Sequence, residues 1–168
     1  LTGAHTTEVD PDTPYPVVDL LPRQVKLLEE KKYGGTMRLG AYAACLEEDS
    51  KVYEIYKATG RLDEDMKIEL PPERLGKINR GTPYIIERHR HRYEVSPKFL
   101  DVLRKAGLKF SGSHITLDGL ELMEFLELPH HKFFIATQAH PEFKSRFLKP
   151  APLFLYLSLI HISEPTRL

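Results

Sequence analysis

Cysteine is nearly absent from this chain, long apolar runs are absent altogether, and no charge sign is in excess. The only cysteine is Cys45, and 24 basic residues are matched by 24 acidic ones. A single cysteine excludes an internal disulfide and fits a reducing compartment, so the expected location is the cytoplasm. No stretch reaches the roughly 18 apolar residues that a membrane-spanning helix needs. The zero net charge removes the broad basic face on which general nucleic-acid or membrane-surface binding depends, so any cationic patch must be local. There is no internal repeat, no signal peptide and no initiating methionine, and the last of these raises the expectation of a fragment.

What is present suffices for one domain. A chain of 168 residues with 41% hydrophobic content can bury a substantial core. "PVVDL" (16–20) reads as a short strand, "LPRQVKLLEEKKY" (21–33) as a helix stopped by Gly34 and Gly35, and 36–46 as a strand. Within that strand Met37, Leu39, Ala41 and Ala43 fall on one side, and Arg38 and Tyr42 on the other. Residues 49–59 read as an amphipathic helix and 60–82 as a charged, proline-interrupted surface excursion with a helical turn after Pro72. A β-branched strand begins at "PYIIERHRHRYEV". "SPKFLDVLRKAG" then has the marks of a helix, with Ser96 as N-cap, Pro97 in the first turn and Gly107 as stop. "LKFSGSH" and "LELMEFLEL" alternate as half-buried strands around an "LDG" turn, and "KFFIATQAH" reads as a strand covered on both faces. Interleaved strands and helices of this kind indicate an α/β domain.

Two stretches carry chemistry. In "HPE", Pro141 pushes His140 toward extended backbone, which would set Glu142 on the same side as the imidazole and fix its tautomer, as a general base requires. A surface turn is the plain alternative. In "RHRHRYE" (88–94) strand alternation puts Arg88, Arg90 and Arg92 on one face and Glu87, His89, His91 and Tyr93 on the other, and a solvated edge strand is again the plain alternative. Cys45 lies in an alanine-rich strand, without the glycine-flanked elbow or helix N-terminus that activates a thiol, and reads as a small buried hydrophobe. His130 and His131, even combined with His89 and His91, lack a carboxylate or thiol partner at ligand spacing, so no metal site is expected.

Taken in order, "GAHTTEVDPDTPYPVVDL", "GGTMRLGAY", "IIERHRHRYEV" and "FFIATQAHPEFKSR" resemble the C-terminal, class I (triad-type) glutamine amidotransferase domain of the CTP synthase family. The resemblance covers most of residues 1–157, and residues 158–168 read as a non-native or artefactual tail. It implies a three-layer, flavodoxin-like α/β fold, incomplete for want of upstream strands and the nucleophile elbow. It further implies that His140 is the catalytic base, that Glu142 orients it, that Glu8 receives the amino end of L-glutamine, and that Arg92 and Tyr93 hold its α-carboxylate. Arg38 would belong to a lid or interface loop.

Family members hydrolyse glutamine through a cysteinyl thioester and pass ammonia to an N-terminal synthetase domain that uses ATP and magnesium to aminate UTP. The expected partners are therefore L-glutamine, that synthetase domain and further copies in a homotetramer, with no nucleic acid, no membrane and no cofactor in this chain. The nucleophile motif would lie before Leu1, so the chain alone is expected to be inactive. Ala139 replaces an aromatic usual before the histidine, and the 60–82 excursion is longer than expected. A non-catalytic homologue that keeps the glutamine pocket for a regulatory or binding role remains the alternative.

Overall fold

The computed structural model describes residues 5–21, 25, 29 and 37–163. Val25 and Glu29 are helical, and the rest of the helix expected over 21–33, with its glycine stop, lies outside the described residues.

The chain forms a mixed α/β fold with two sheets. The smaller joins β1 (His5–Thr6), β2 (Pro16–Asp19) and β5 (Glu94–Val95) in the order β1-β2-β5, with β1 parallel and β5 antiparallel to β2. The larger is antiparallel in the order β4-β3-β6-β7-β8, built from β3 (Arg38–Leu46), β4 (Tyr84–His91), β6 (Lys109–Ile115), β7 (Glu121–Glu127) and β8 (Ile135–Thr137). The β3–β4 ladder pairs Arg38 with His91 and Cys45 with Tyr84, so one strand end carries the basic run and the other carries the cysteine.

The helix α1 (Lys51–Ala58) begins where the Ser50 side chain accepts the Tyr53 N–H at 3.1 Å, satisfying one of the amide groups left open at a helix start. Its buried residues Val52, Ile55 and Tyr56 follow helical spacing and pack with Ala44, Leu46, Ile85, Phe125 and Leu153 into the main core. Gly112 in β6 makes room for side chains of the strands on either side of it: a Cβ there would stand 2.8 Å from Phe125 Cδ2 on β7 and 3.0 Å from Leu46 Cδ2 on β3. α5 (Pro152–Ser163) contributes Pro152 and Leu153 to the interior, runs without a break across residue 157, and exposes Leu157, Leu159 and Ile162. Among the described residues no helix is long and apolar enough to cross a membrane.

Several expectations need correction. At the start of β3 the polar side turns inward, with Arg38 buried and Leu39 49% exposed, whereas further along Ala43 and Ala44, on opposite sides, are both buried. The excursion after residue 60 is only partly superficial, because the short helix α2 (Arg61–Asp65) buries Arg61, Leu62 and Asp65. The turn expected after Pro72 is α3 (Pro72–Leu75). Ser96 makes no side-chain cap. The segment starts as a 3-10 turn, Pro97–Phe99, and becomes α4 (Leu100–Lys105), with Gly107 at φ 95° ending it. The strand expected through "KFFIATQAH" shrinks to β8, a half-exposed edge strand rather than one covered on both faces. An apolar run cannot by itself distinguish a central strand from an edge strand whose outer side awaits other contacts.

Candidate active site

The 3-10 turn Pro141–Lys144 follows β8 directly and begins at His140, whose backbone (φ −111°, ψ 79°) is not helical. His140 Nδ1 lies 2.7 Å from Glu142 Oε1. An ionised carboxylate only accepts, so Nδ1 carries the hydrogen and donates, and Nε2 is left with a lone pair. Glu142 is held below the usual carboxylate range chiefly by this hydrogen bond. The expected pair therefore forms, but by a different route: the tight turn, not an extended stretch, folds Glu142 back onto the ring. Phe143 stacks on the imidazole with ring centroids 4.9 Å apart and planes 12° from parallel. The His140 N–H donates to the Arg88 carbonyl at 2.7 Å, fixing the turn to β4.

A cavity of about 510 Å³ opens at the seam between the two sheets. Glu8 and Val18 line it from the small sheet's side, Arg90 and His91 from β4, Arg92 and Tyr93 from the link to β5, and Met37, Val95 and Gln138 complete the wall. Glu8 and the adjacent Arg92 and Tyr93, more than 80 positions further along, thus line one cavity, bringing a carboxylate, a guanidinium and a phenol to it. His140 is not part of that wall. Its backbone is bonded to Arg88 on β4, two residues before Arg90 of the wall, and its charge acts on His91, which is part of the wall.

A buried ionic cluster adjoins the cavity, sharing His91 with its wall. Arg38 Nη1 is 2.6 Å from Glu124 Oε1 on β7 and 3.5 Å from Glu94 Oε1 on β5, and its guanidinium covers the Tyr42 ring at 4.6 Å. Burial raises both carboxyls, Glu94 to about 7, with the Arg38 charge opposing the shift in each case. The two histidines of β4 complete the cluster. The Tyr93 carbonyl can only accept, so His91 Nδ1, 3.0 Å away, donates to it. His91 Nε2 then accepts from His89 Nδ1 at 3.0 Å, which leaves the lone pair of His89 Nε2 facing Glu124 Oε2 at 3.4 Å, a place for a protonated carboxyl. Burial, followed by the Arg38 charge, depresses both rings, His89 to about 2 and His91 to about 4, so both are neutral in this chain of donors.

Arg38, expected on a lid or interface loop, is instead the buried cation that joins β3, β5 and β7. Two carboxyl partners, Glu94 on β5 and Glu124 on β7, draw it inward. The alternation of the basic run holds: Arg88 and Arg90 are exposed, Glu87 and His89 buried. Glu94 and Glu124 were missed in the sequence, although Glu124 stands on the apolar face of an otherwise alternating strand between Leu122 and Leu126, a usable sign of a buried partner.

Cys45 is half-buried at the opposite end of β3 from Arg38, and burial, then the nearby Glu47 charge, raises its thiol pKa. A thiol so raised is a poor nucleophile. Among the described residues no group of three or more His, Cys, Asp or Glu side chains is placed to hold a metal ion.

The comparisons with known proteins agree with one another. The profile of the family described as Glutamine amidotransferase class-I matches residues 20–159. The chain is 48% identical over 154 residues to a CTP synthase of Pyrococcus abyssi, covering 92% of this chain and 23% of that protein. It is also 48% identical over 152 residues to a CTP synthase of Methanococcus maripaludis, covering 90% and 23%. The chain thus spans about a quarter of these curated relatives. A solved structure of the Trypanosoma brucei CTPS glutaminase domain with bound acivicin superimposes with a TM-score of 0.71 at 27% identity, covering 98% of this chain and 53% of that one.

Proposed function

The chain belongs to the class-I glutamine amidotransferase family, and from that premise we propose that it supplies the glutamine seat and the catalytic base of a cytoplasmic CTP synthase. The observation that carries this reading is the convergence of Glu8, Arg92 and Tyr93 on one cavity beside the His140–Glu142 pair. A zwitterionic amino acid needs an anion at its ammonium and donors at its carboxylate, and these walls offer both. Glu8 takes the ammonium of L-glutamine, while Arg92 and Tyr93 take the carboxylate, which directs the side-chain amide along the wall toward Gln138 and His140.

His140 Nε2 accepts a proton from a cysteine thiol supplied by sequence outside this chain. The thiolate attacks the amide carbon, the C–N bond breaks as the proton is returned to the leaving nitrogen, and ammonia departs. Water then cleaves the thioester to glutamate, with the same imidazole as base. Glu142 keeps Nδ1 protonated throughout and stabilises the transient imidazolium. The ammonia goes to an N-terminal synthetase domain for amination of UTP within a homotetramer. ATP and magnesium act in that domain, and no residue of this chain is assigned to either.

Two measurements on the 168-residue chain test this reading. L-glutamine should perturb the amide resonances of Glu8, Arg92 and Tyr93 while D-glutamine does not, and the chain alone should release no glutamate from glutamine. Absence of the first effect, or measurable turnover in the second, overturns it.

A further inference from the structure

The His140–Glu142 contact is short but poorly sheltered, the side chains being 35% and 50% exposed. A solvent-exposed pair of this kind is worth little and does not fix its own geometry. Something else must hold the turn, and the structure shows two anchors on β4. One is the His140 N–H bond to the Arg88 carbonyl. The other is at the far end of the same turn, where Lys144 Nζ reaches both carboxylate oxygens of Asp65 at 3.0 Å and also contacts the Ile86 carbonyl.

Asp65 is 2% exposed and is itself tied to β4, accepting the Ile86 N–H at 3.0 Å. Glu87 Oε1 lies 4.0 Å from the same ammonium and accepts the Tyr56 hydroxyl at 2.9 Å. Between the anchors Phe143 is held as well, its ring stacked on His140 and lying 5.8 Å beneath the Arg88 guanidinium. With both ends tied to β4 and its middle ring in contact with His140 and close to Arg88, the turn has little freedom to swing Glu142 away from the imidazole.

We propose that Lys144 is a positioning residue for the His140–Glu142 pair, acting through Asp65 to lock the turn that carries both side chains. The functional part of this inference rests on the reading of His140 as the glutaminase base. The geometric part does not. A lysine that served only to neutralise buried Asp65 and Glu87 would affect stability and leave the dyad undisturbed.

The test has two arms. In the 168-residue chain, carbon-detected NMR follows the Glu142 carboxyl through a pH titration. Lys144→Met and Asp65→Asn should each raise its pKa toward the ordinary glutamate value, the double variant should raise it no further because both sever the same link, and Lys144→Arg should retain the low value. If the Asp65 variant fails to fold, Lys144→Met against Lys144→Arg decides alone. Should neither give a folded chain, heating the unaltered protein decides: the turn is locked if the Glu142 shift is lost together with the Phe143 and Ser145 amide protection.

In the full-length enzyme, Lys144→Met should lower kcat for glutamine by up to about a hundred-fold with KM little changed, and spare amination by free ammonia. An unchanged Glu142 titration in a folded Lys144→Met chain overturns the positioning role. A shifted Glu142 titration with glutamine hydrolysis intact, and equally intact in His140→Ala, preserves the positioning role and overturns the catalytic reading instead.

Discussion

Arg38 and Glu124 face each other across the larger sheet with Nη1 and Oε1 2.6 Å apart, both side chains withdrawn from solvent, and Glu94 reaches the same guanidinium from the smaller sheet at 3.5 Å. One cation thus serves two buried carboxyls, and the group is neutral when the pair keeps a single proton. It joins the two sheets, and its neighbour His91 also lines the cavity that Glu8, Arg92 and Tyr93 line, so loss of Arg38 should be felt in both stability and binding.

Replacing Arg38 by Met leaves two buried carboxyls without their cation. Breaking a buried ion pair from one side costs about 3–5 kcal/mol. Urea denaturation of the 168-residue chain should therefore show a loss of that order, with Arg38→Met partly rescued by Glu124→Gln. A loss below about 1 kcal/mol would mean that the cluster is solvated.

The carboxyl pair should also set a pH dependence. Burial raises Glu94 to about 7 against an ordinary value of 4.5, so the folded state holds a proton that the unfolded chain releases earlier. Its stabilisation is complete below pH 4.5 and is lost as the pH rises through about 7, with an upper bound of about 3 kcal/mol. His91 acts oppositely. Neutral in the fold, with its pKa lowered from 6.5 to about 4, it contributes above pH 6.5 and loses that contribution as the pH falls toward 4. The Glu94→Gln variant isolates the first effect: relative to the unaltered chain it should gain stability between pH 5 and pH 8. A constant difference across that range would exclude Glu94 as the group responsible. Arg38, Glu124, His91 and Gln138 are the polar and charged groups facing it from the neighbouring strands and loop.

Arg92→Ala in the full-length enzyme should raise KM for glutamine by roughly ten- to a hundred-fold, the worth of a hydrogen bond to a charged group. Amination with free ammonia should be unaffected. Parallel losses with both nitrogen sources would place Arg92 in the framework rather than in the glutamine seat.

His140→Ala should reduce kcat with glutamine by about 10²- to 10⁴-fold, the range for removal of a general base, and again spare the ammonia-driven reaction. Glu142→Gln should follow in the same direction with a smaller effect. Retention of glutamine turnover in His140→Ala would remove it from the mechanism.

Local patterns were legible wherever neighbours in sequence are also neighbours in space. The alternation in "RHRHRYE" gave the faces of β4, helical spacing gave α1, and "HPEF" gave the His140–Glu142 contact, although a 3-10 turn brings it about. Arg38 was different: the pattern placed it on a strand and the resemblance placed it in a lid or interface loop, and neither foretold its burial. Its partners Glu94 and Glu124 lie 56 and 86 positions further along, and no periodicity within β3 announces them. Asp65 was likewise hidden in a charged segment with the composition of a surface, because only the return of Lys144 beside it makes burial tolerable.

The sequence by itself determined the chemistry on offer: a lone cysteine without an activating frame, a histidine followed by a glutamate two residues on, a strand of alternating cations, and motifs that specify a glutamine amidotransferase. Tertiary structure alone decided which charges are buried. The energy of an ionised side chain away from water depends on partners that the chain brings from distant strands, and pairing Arg38 with Glu94 and Glu124, and Lys144 with Asp65, is what lets a polar face turn inward and a short exposed turn hold still.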